Sequence, residues 1–140
     1  MSYNLVDPTT GDLTRVAGGT LYAETNSYST QEVKTGGTWI DGKPIYRKVI
    51  THTFSDALTG LVTIPHNIQN LAKPIRIVCG SAANPNLEDD GVVIPAQYDS
   101  NTFIQLGAFS STYVQLYCGT SSWTEKTHVT LCLEYTKTTD

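Results

Sequence analysis

What this sequence has little of narrows its class before any motif is considered. No stretch rich in Ala, Leu, Glu and Lys is present to sustain a long helix, so helix is at most a minor element. No apolar run approaches the length that spans a bilayer, and Met1-Ser2-Tyr3-Asn4-Leu5-Val6-Asp7-Pro8 lacks a basic start followed by an apolar stretch. The expectation is a soluble product made in a cytoplasm, with no membrane partner. Lys and Arg are scarce and unclustered, 9 against 13 acidic residues, for a net charge of -4 and a pI near 5.2. Such a chain presents no basic field to a phosphate backbone, which argues against nucleic acid as a partner.

Recognisable catalytic and metal spacings are also missing. His52, His66 and His128 and the three cysteines, Cys79, Cys118 and Cys132, are scattered, with no Cys-x-x-Cys and no His-x-x-x-His, so no metal site is expected. The odd cysteine count leaves at least one thiol unpaired within the chain, and all three are read as reduced, small, buried residues. No Gly-x-Ser-x-Gly elbow occurs, and Cys132 shares a strand face with His128 only through β alternation. Glu88-Asp89-Asp90 are consecutive in a turn-like stretch, whereas glycoside hydrolysis needs two carboxyl groups held roughly 5–10 Å apart across a cleft. Ca²⁺ binding there, with help from Asn84 and Asn86, finds no EF-hand spacing. The expected protein is not an enzyme and uses no cofactor.

What is present points to β structure. Thr, Val, Ile and Tyr are plentiful, and Gly and Pro punctuate the chain. Up to about residue 28 the turn sequences Asp7-Pro8, Thr10-Gly11-Asp12 and Gly18-Gly19 separate a few apolar residues, Leu5, Val6, Leu13, Val16, Leu21 and Tyr22. These are too sparse for a core of their own, so residues 1–28 are expected to form an extended arm whose apolar groups attach to another subunit or protein. Residues 29–140 then form one module, long enough to bury a core.

Within the module, Asp41-Gly42 marks a hairpin turn between Trp39-Ile40 and the run Lys43 to Phe54. Tyr46, Lys48, Ile50, His52 and Phe54 share one face of that run, and neither face is cleanly apolar. Further strands are expected over Gly60 to Ile64, Pro74 to Cys79, Val92 to Pro95, Thr102 to Leu106, Tyr113 to Cys118 and His128 to Thr136. In the last, Val129, Leu131, Leu133 and Tyr135 should face the core; Tyr113 to Cys118 should pair with it, turning Val114, Leu116 and Cys118 inward. Pro65 to Leu71 could hold one short helical turn capped by Asn67. Short strands at this spacing predict an all-β fold, an antiparallel, jelly-roll-like β-sandwich preceded by the extended arm.

Aromatic side chains are the candidate contact groups, since a flat ring can stack on a sugar while polar neighbours supply hydrogen bonds. Trp123 in a polar loop leads, with Tyr113 and Tyr117 on the outer side of their strand and Asn84 and Asn86 in a turn. The alternative is that Trp39 packs under its turn and the tyrosines cover a sheet or subunit interface.

The block Gly37-Thr38-Trp39-Ile40-Asp41-Gly42-Lys43-Pro44-Ile45-Tyr46-Arg47-Lys48, preceded by Tyr28-Ser29-Thr30, resembles a sequence recurring in tail-fibre and related virion proteins of bacteriophages. Ile64-Pro65-His66-Asn67-Ile68 and Leu133 to Asp140 continue the resemblance. It implies a virion structural protein assembled in the bacterial cytoplasm, with Trp39, Asp41, Gly42, Pro44 and Tyr46 as a structural signature. It further implies a fibre or tail-associated module joined to other virion proteins by its arm; shared burial around a threefold axis makes a homotrimer the expected assembly, and a receptor-binding tip for host surface polysaccharide is one version of its role. A capsid head fibre or decoration protein without its own ligand is the alternative, with a small glycan depolymerase behind it. The resemblance supplies no catalytic residues.

Overall fold

The computed structural model describes residues 27–56, 58–86, 91–123 and 126–139, without the side chains of 121–123. The arm residues Leu5, Val6, Leu13, Val16, Leu21 and Tyr22 lie outside them, as do Glu88, Asp89 and Asp90.

Nine strands follow in order: β1 (Val33–Thr38), β2 (Pro44–Thr53), β3 (Leu58–Pro65), β4 (Leu71–Ala83), β5 (Gly91–Val93), β6 (Ala96–Gln97), β7 (Phe103–Phe109), β8 (Tyr113–Trp123) and β9 (His128–Lys137). Two antiparallel sheets, ordered β1-β2-β9-β4-β5 and β3-β8-β7-β6, pack into a sandwich, as the strand spacing predicts. The pairings of β2 with β9 and of β3 with β8 wrap early strands around late ones, as in a jelly roll. The connectivity between β4 and β8 departs from that pattern, because β5 stays beside β4 and β7 beside β8.

Five residues, 39–43, link β1 to β2 in the first hairpin. Trp39 N–H donates to Lys43 C=O at 2.8 Å and Gly42 N–H to Trp39 C=O at 2.9 Å. Gly42 takes φ +85°, which a side chain would oppose, and Asp41 Oδ1 accepts Lys43 N–H at 3.0 Å. Asp41-Gly42 therefore make the turn as expected, but Trp39 and Ile40 belong to the loop; the preceding strand is Val33–Thr38. Pro44 opens β2, where a missing N–H is tolerated.

The core draws on both sheets. Val129, Leu131, Leu133 and Tyr135 are buried, opposed by Leu58, Ile64, Ile104, Val114 and Leu116. Tyr46 is buried with its ring stacked on Tyr135, centroids 6.2 Å apart. The Tyr135 hydroxyl donates to Glu32 at 2.6 Å, and Lys137 Nζ reaches the same carboxylate at 2.7 Å. Burial, reinforced by that carboxylate, pushes the Tyr135 phenol far above its ordinary value.

Three expectations are corrected. β8 turns Val114, Leu116 and Cys118 inward, but it pairs with β3 and β7, and β9 lies in the opposite sheet. The connection between them crosses the sandwich instead of closing a hairpin. Residues 66–70 form no helical turn: Asn67 and Asn70 take the left-handed conformation, φ 55° and 58°, which bends the chain back toward β4. Cys79 is exposed, although Cys118 and Cys132 are buried.

β9 is covered on both faces, and this decides the electrostatics of the five-stranded sheet. Glu134 points to the outer face, where Arg47 of β2 and Arg76 of β4 are its register neighbours. Arg47 donates to Oε2 through Nε and Nη2, at 3.0 and 2.8 Å, and Arg76 Nε donates to Oε1 at 2.8 Å. Burial alone would push the Glu134 carboxyl up, but the hydrogen bonds from Arg76 and Arg47 outweigh it and hold it below the usual range. Arg47 is 10% exposed against 61% for Arg76, so the two ion pairs differ in worth. Arg47→Met removes the guanidinium from the buried Oε2 of Glu134 and should cost about 3 kcal/mol, whereas Arg76→Met should cost roughly 1 kcal/mol or less; urea unfolding at pH 7 measures both. A carboxyl held low when folded stabilises the fold above its unfolded pKa, about 4.3, and loses that contribution as pH falls through the folded value. Unfolding midpoints below pH 4.5 should therefore fall more steeply in the parent protein than in Glu134→Gln.

Candidate functional site

The sandwich has two ends and two outer faces, and the candidate contact residues divide among them. Ala83 pairs with His128, and the segment after Trp123 leads into His128, so the turn after β4 and the connection after β8 leave from the same end. Asn84, Asn86 and Trp123 thus share one end. There Asn84 Oδ1 accepts Asn86 N–H at 2.9 Å, an Asx turn that occupies Asn84 in local structure while Asn86 stays exposed. The backbone of Trp123 pairs with Leu58 at the close of β8; its indole lies outside the described residues.

Tyr113 lies toward the opposite end, paired with Pro65 and half-buried. Tyr117 lies between, four residues and roughly 13 Å further along the strand. The five contact candidates do not converge on one site.

Tyr117 instead belongs to a row across the outer face of the four-stranded sheet, flanked by Leu61 of β3 and Gln105 of β7. Leu61 is 53% exposed and Tyr117 56%, adjacent apolar groups where alternation on a solvated face would favour polar ones. The expected outward direction of Tyr113, Gln115 and Tyr117 identifies this face, but Leu61 was missed. Its signal is the alternation of β3, where Leu58, Val62 and Ile64 point inward and leave Leu61 outside.

The end bearing Tyr113 holds a shallow cleft of 290 Å³, lined by His66, Asn67, Ile68, Gln69, Ser111 and Thr112. His66 forms its floor and is almost fully buried. Its Nδ1 accepts Ile68 N–H at 3.1 Å, which places the proton on Nε2, where it donates to Ser110 C=O at 3.0 Å. Its ring meets Phe109 edge to face, centroids 5.6 Å apart. Lys48 Nζ donates to the His66 carbonyl at 3.2 Å, fastening the loop to β2. His66 is thus a rivet between two loops, both of whose ring nitrogens are engaged.

At the signature hairpin, Trp39 is half-buried, with the Lys73 ammonium 6.0 Å from its ring, and Ile40 is exposed at the tip. Tyr46 is a core residue, with Lys137 and Lys34 at 5.3 and 5.8 Å from its ring. His128 Nδ1 lies 2.7 Å from Thr53 Oγ1, and the cross-strand neighbours of Cys132 are Val49 and Cys79. Among the described residues no group of three His, Cys, Asp or Glu could hold a metal ion, and no helix is long and apolar enough to cross a membrane.

Comparison with family models, with curated proteins and with solved structures found no match to this chain.

His66→Ala should remove the rivet, leaving Ile68 N–H and Ser110 C=O without partners, at a cost of about 3 kcal/mol by urea unfolding. Gln69→Ser, on the exposed rim, should stay within about 1 kcal/mol of the parent.

Proposed function

We propose that this protein is a structural module of a bacteriophage particle, a fibre or tail-associated domain that works as a homotrimer. The observation that carries the reading is the exposed Leu61–Tyr117 row on the outer face of the four-stranded sheet. Fibre modules gain stability by burying such surfaces between identical copies, and aromatic residues are favoured at the centre of such contacts. The signature hairpin and the His66 loop, which carry the resemblance, serve as structure: one ends a sheet edge and the other locks two loops.

Residues 1–28 attach the module to other virion proteins. The described chain joins the sheet from Tyr28 onward: its ring lies 5.0 Å from the Arg47 guanidinium, and Ser29 C=O accepts Val49 N–H at 2.9 Å. Host contact falls to the loop ends of the sandwich, where a weak site for surface polysaccharide would be multiplied by three copies. A capsid decoration role uses the same trimer without that ligand.

Light scattering should return the mass of three chains. Leu61→Arg combined with Tyr117→Arg should return one chain with an unchanged circular dichroism spectrum, because both side chains point away from the core. A monomeric parent protein removes the trimer, and its absence from purified particles removes the virion role. Host polysaccharide binding by the trimer, lost in Trp123→Ala, supports a receptor-binding tip; no binding by the trimer leaves the decoration role.

A further inference from the structure

Two of the three thiols are brought together by a local irregularity in the five-stranded sheet. Along β4 and β9, Arg76 pairs with Glu134 and Ile77 with Leu133, and the register then shifts so that Cys79 pairs with Cys132. Val78 and Cys79 together oppose one residue, a β-bulge. Without that extra residue Val78 would oppose Cys132, and Cys79 would oppose Leu131 on the core face. With it, Gly80 takes the inward position, where an added Cβ would come within 2.7 Å of Leu131 Cδ2. The bulge therefore turns Cys79 outward and seats it directly beside Cys132.

The register places the two residues directly opposite each other, with both side chains on the outer side of the sheet. Directly opposed residues in an antiparallel ladder have Cα atoms about 4.5 or 5.5 Å apart, and both spacings fall inside the range of about 4.4–6.8 Å that a disulfide spans. Cys79 is exposed and Cys132 buried, so one sulfur of the pair is reachable from solvent and the other is shielded. Cys118 lies on β8 in the opposite sheet, facing the core, and is no partner for either.

We propose that Cys79 and Cys132 are an oxidation site, a dithiol on the outer face of the five-stranded sheet that closes to a cross-strand disulfide when the protein meets a small-molecule disulfide such as oxidised glutathione. The Cys79 thiolate attacks one glutathione sulfur, forming a mixed disulfide and releasing one glutathione thiolate. Cys132 then gives its proton to solvent and attacks the Cys79 sulfur, releasing the second glutathione. Two protein thiols are oxidised and one glutathione disulfide is reduced to two thiols. Burial pushes the Cys132 thiol up to about 11, which makes Cys79 the attacking group and Cys132 the resolving one. The bond would staple β4 to β9 two ladder positions from the Arg47–Glu134–Arg76 cluster, whatever role the protein has.

The test incubates the full chain with oxidised glutathione, alkylates it after unfolding and measures intact mass and linked peptides. The reduced protein should take up three alkyl groups; the oxidised protein should take up one, lose two hydrogens and yield a linked pair containing residues 79 and 132. Cys79→Ser, a change at an exposed position, should retain both remaining thiols under the same treatment. Persistence of all three thiols, a glutathione adduct that never resolves, linkage through Cys118, or linkage only between chains would each overturn the proposal.

Discussion

Glu134 is a carboxylate inside a sheet, and the two strands beside it each supply a guanidinium. β9 lies between β2 and β4, whose outward side chains close over its outer face while the second sheet covers the inner one. A strand buried on one face can send its polar side chains to water. One buried on both must satisfy them within the protein, because a stranded charge costs several kcal/mol. Arg47, closed in by Tyr28, and Arg76, open to solvent, meet that demand from opposite sides. The same central position lets Tyr135 stack on Tyr46 and reach Glu32, so the segment leading into β1 is tied to the middle of the sheet.

Alternation made much of this legible from residues alone. Val129, Leu131, Leu133 and Tyr135 repeat every second position with polar residues between, and the core face of β9 follows from that pattern. β8 reads equally well. Which strands pair does not follow, since β8 and β9 are adjacent in sequence and their faces suit a hairpin as well as a crossing between sheets. β1 is not legible because Gly36 and Gly37 interrupt its pattern, nor is β6 because two residues carry no period. The turn at Asn67 and Asn70 was mistaken for a helical one: asparagine caps helices and also tolerates left-handed backbone, and only the fold decides between them.

The contact residues were less legible than the core. Aromatic and amide side chains in loops announce exposure, but whether they meet depends on which ends of which strands lie together. Asn84, Asn86 and Trp123 do share an end, Tyr113 lies toward the other, and Tyr117 belongs to a face whose second member, Leu61, is marked only by the alternation of β3. The apposition of Cys79 and Cys132 was hidden for a related reason: it depends on one inserted residue in the register, and a bulge leaves no composition behind it.

The central place of β9 also sets the order in which this chain can become itself. Arg47 and Glu134 are 87 positions apart, and Tyr135 and Glu32 are 103 apart. Until His128–Lys137 leaves the ribosome, β2 and β4 have no common neighbour, and each exposes an unpaired edge. Loop closure over such separations must be met before any of these contacts repays it, so acquisition of the native state is slow and comes after synthesis of the preceding strands. During that interval the waiting edges are open to strands of other chains, which makes the nascent sandwich more prone to mispairing than the finished one.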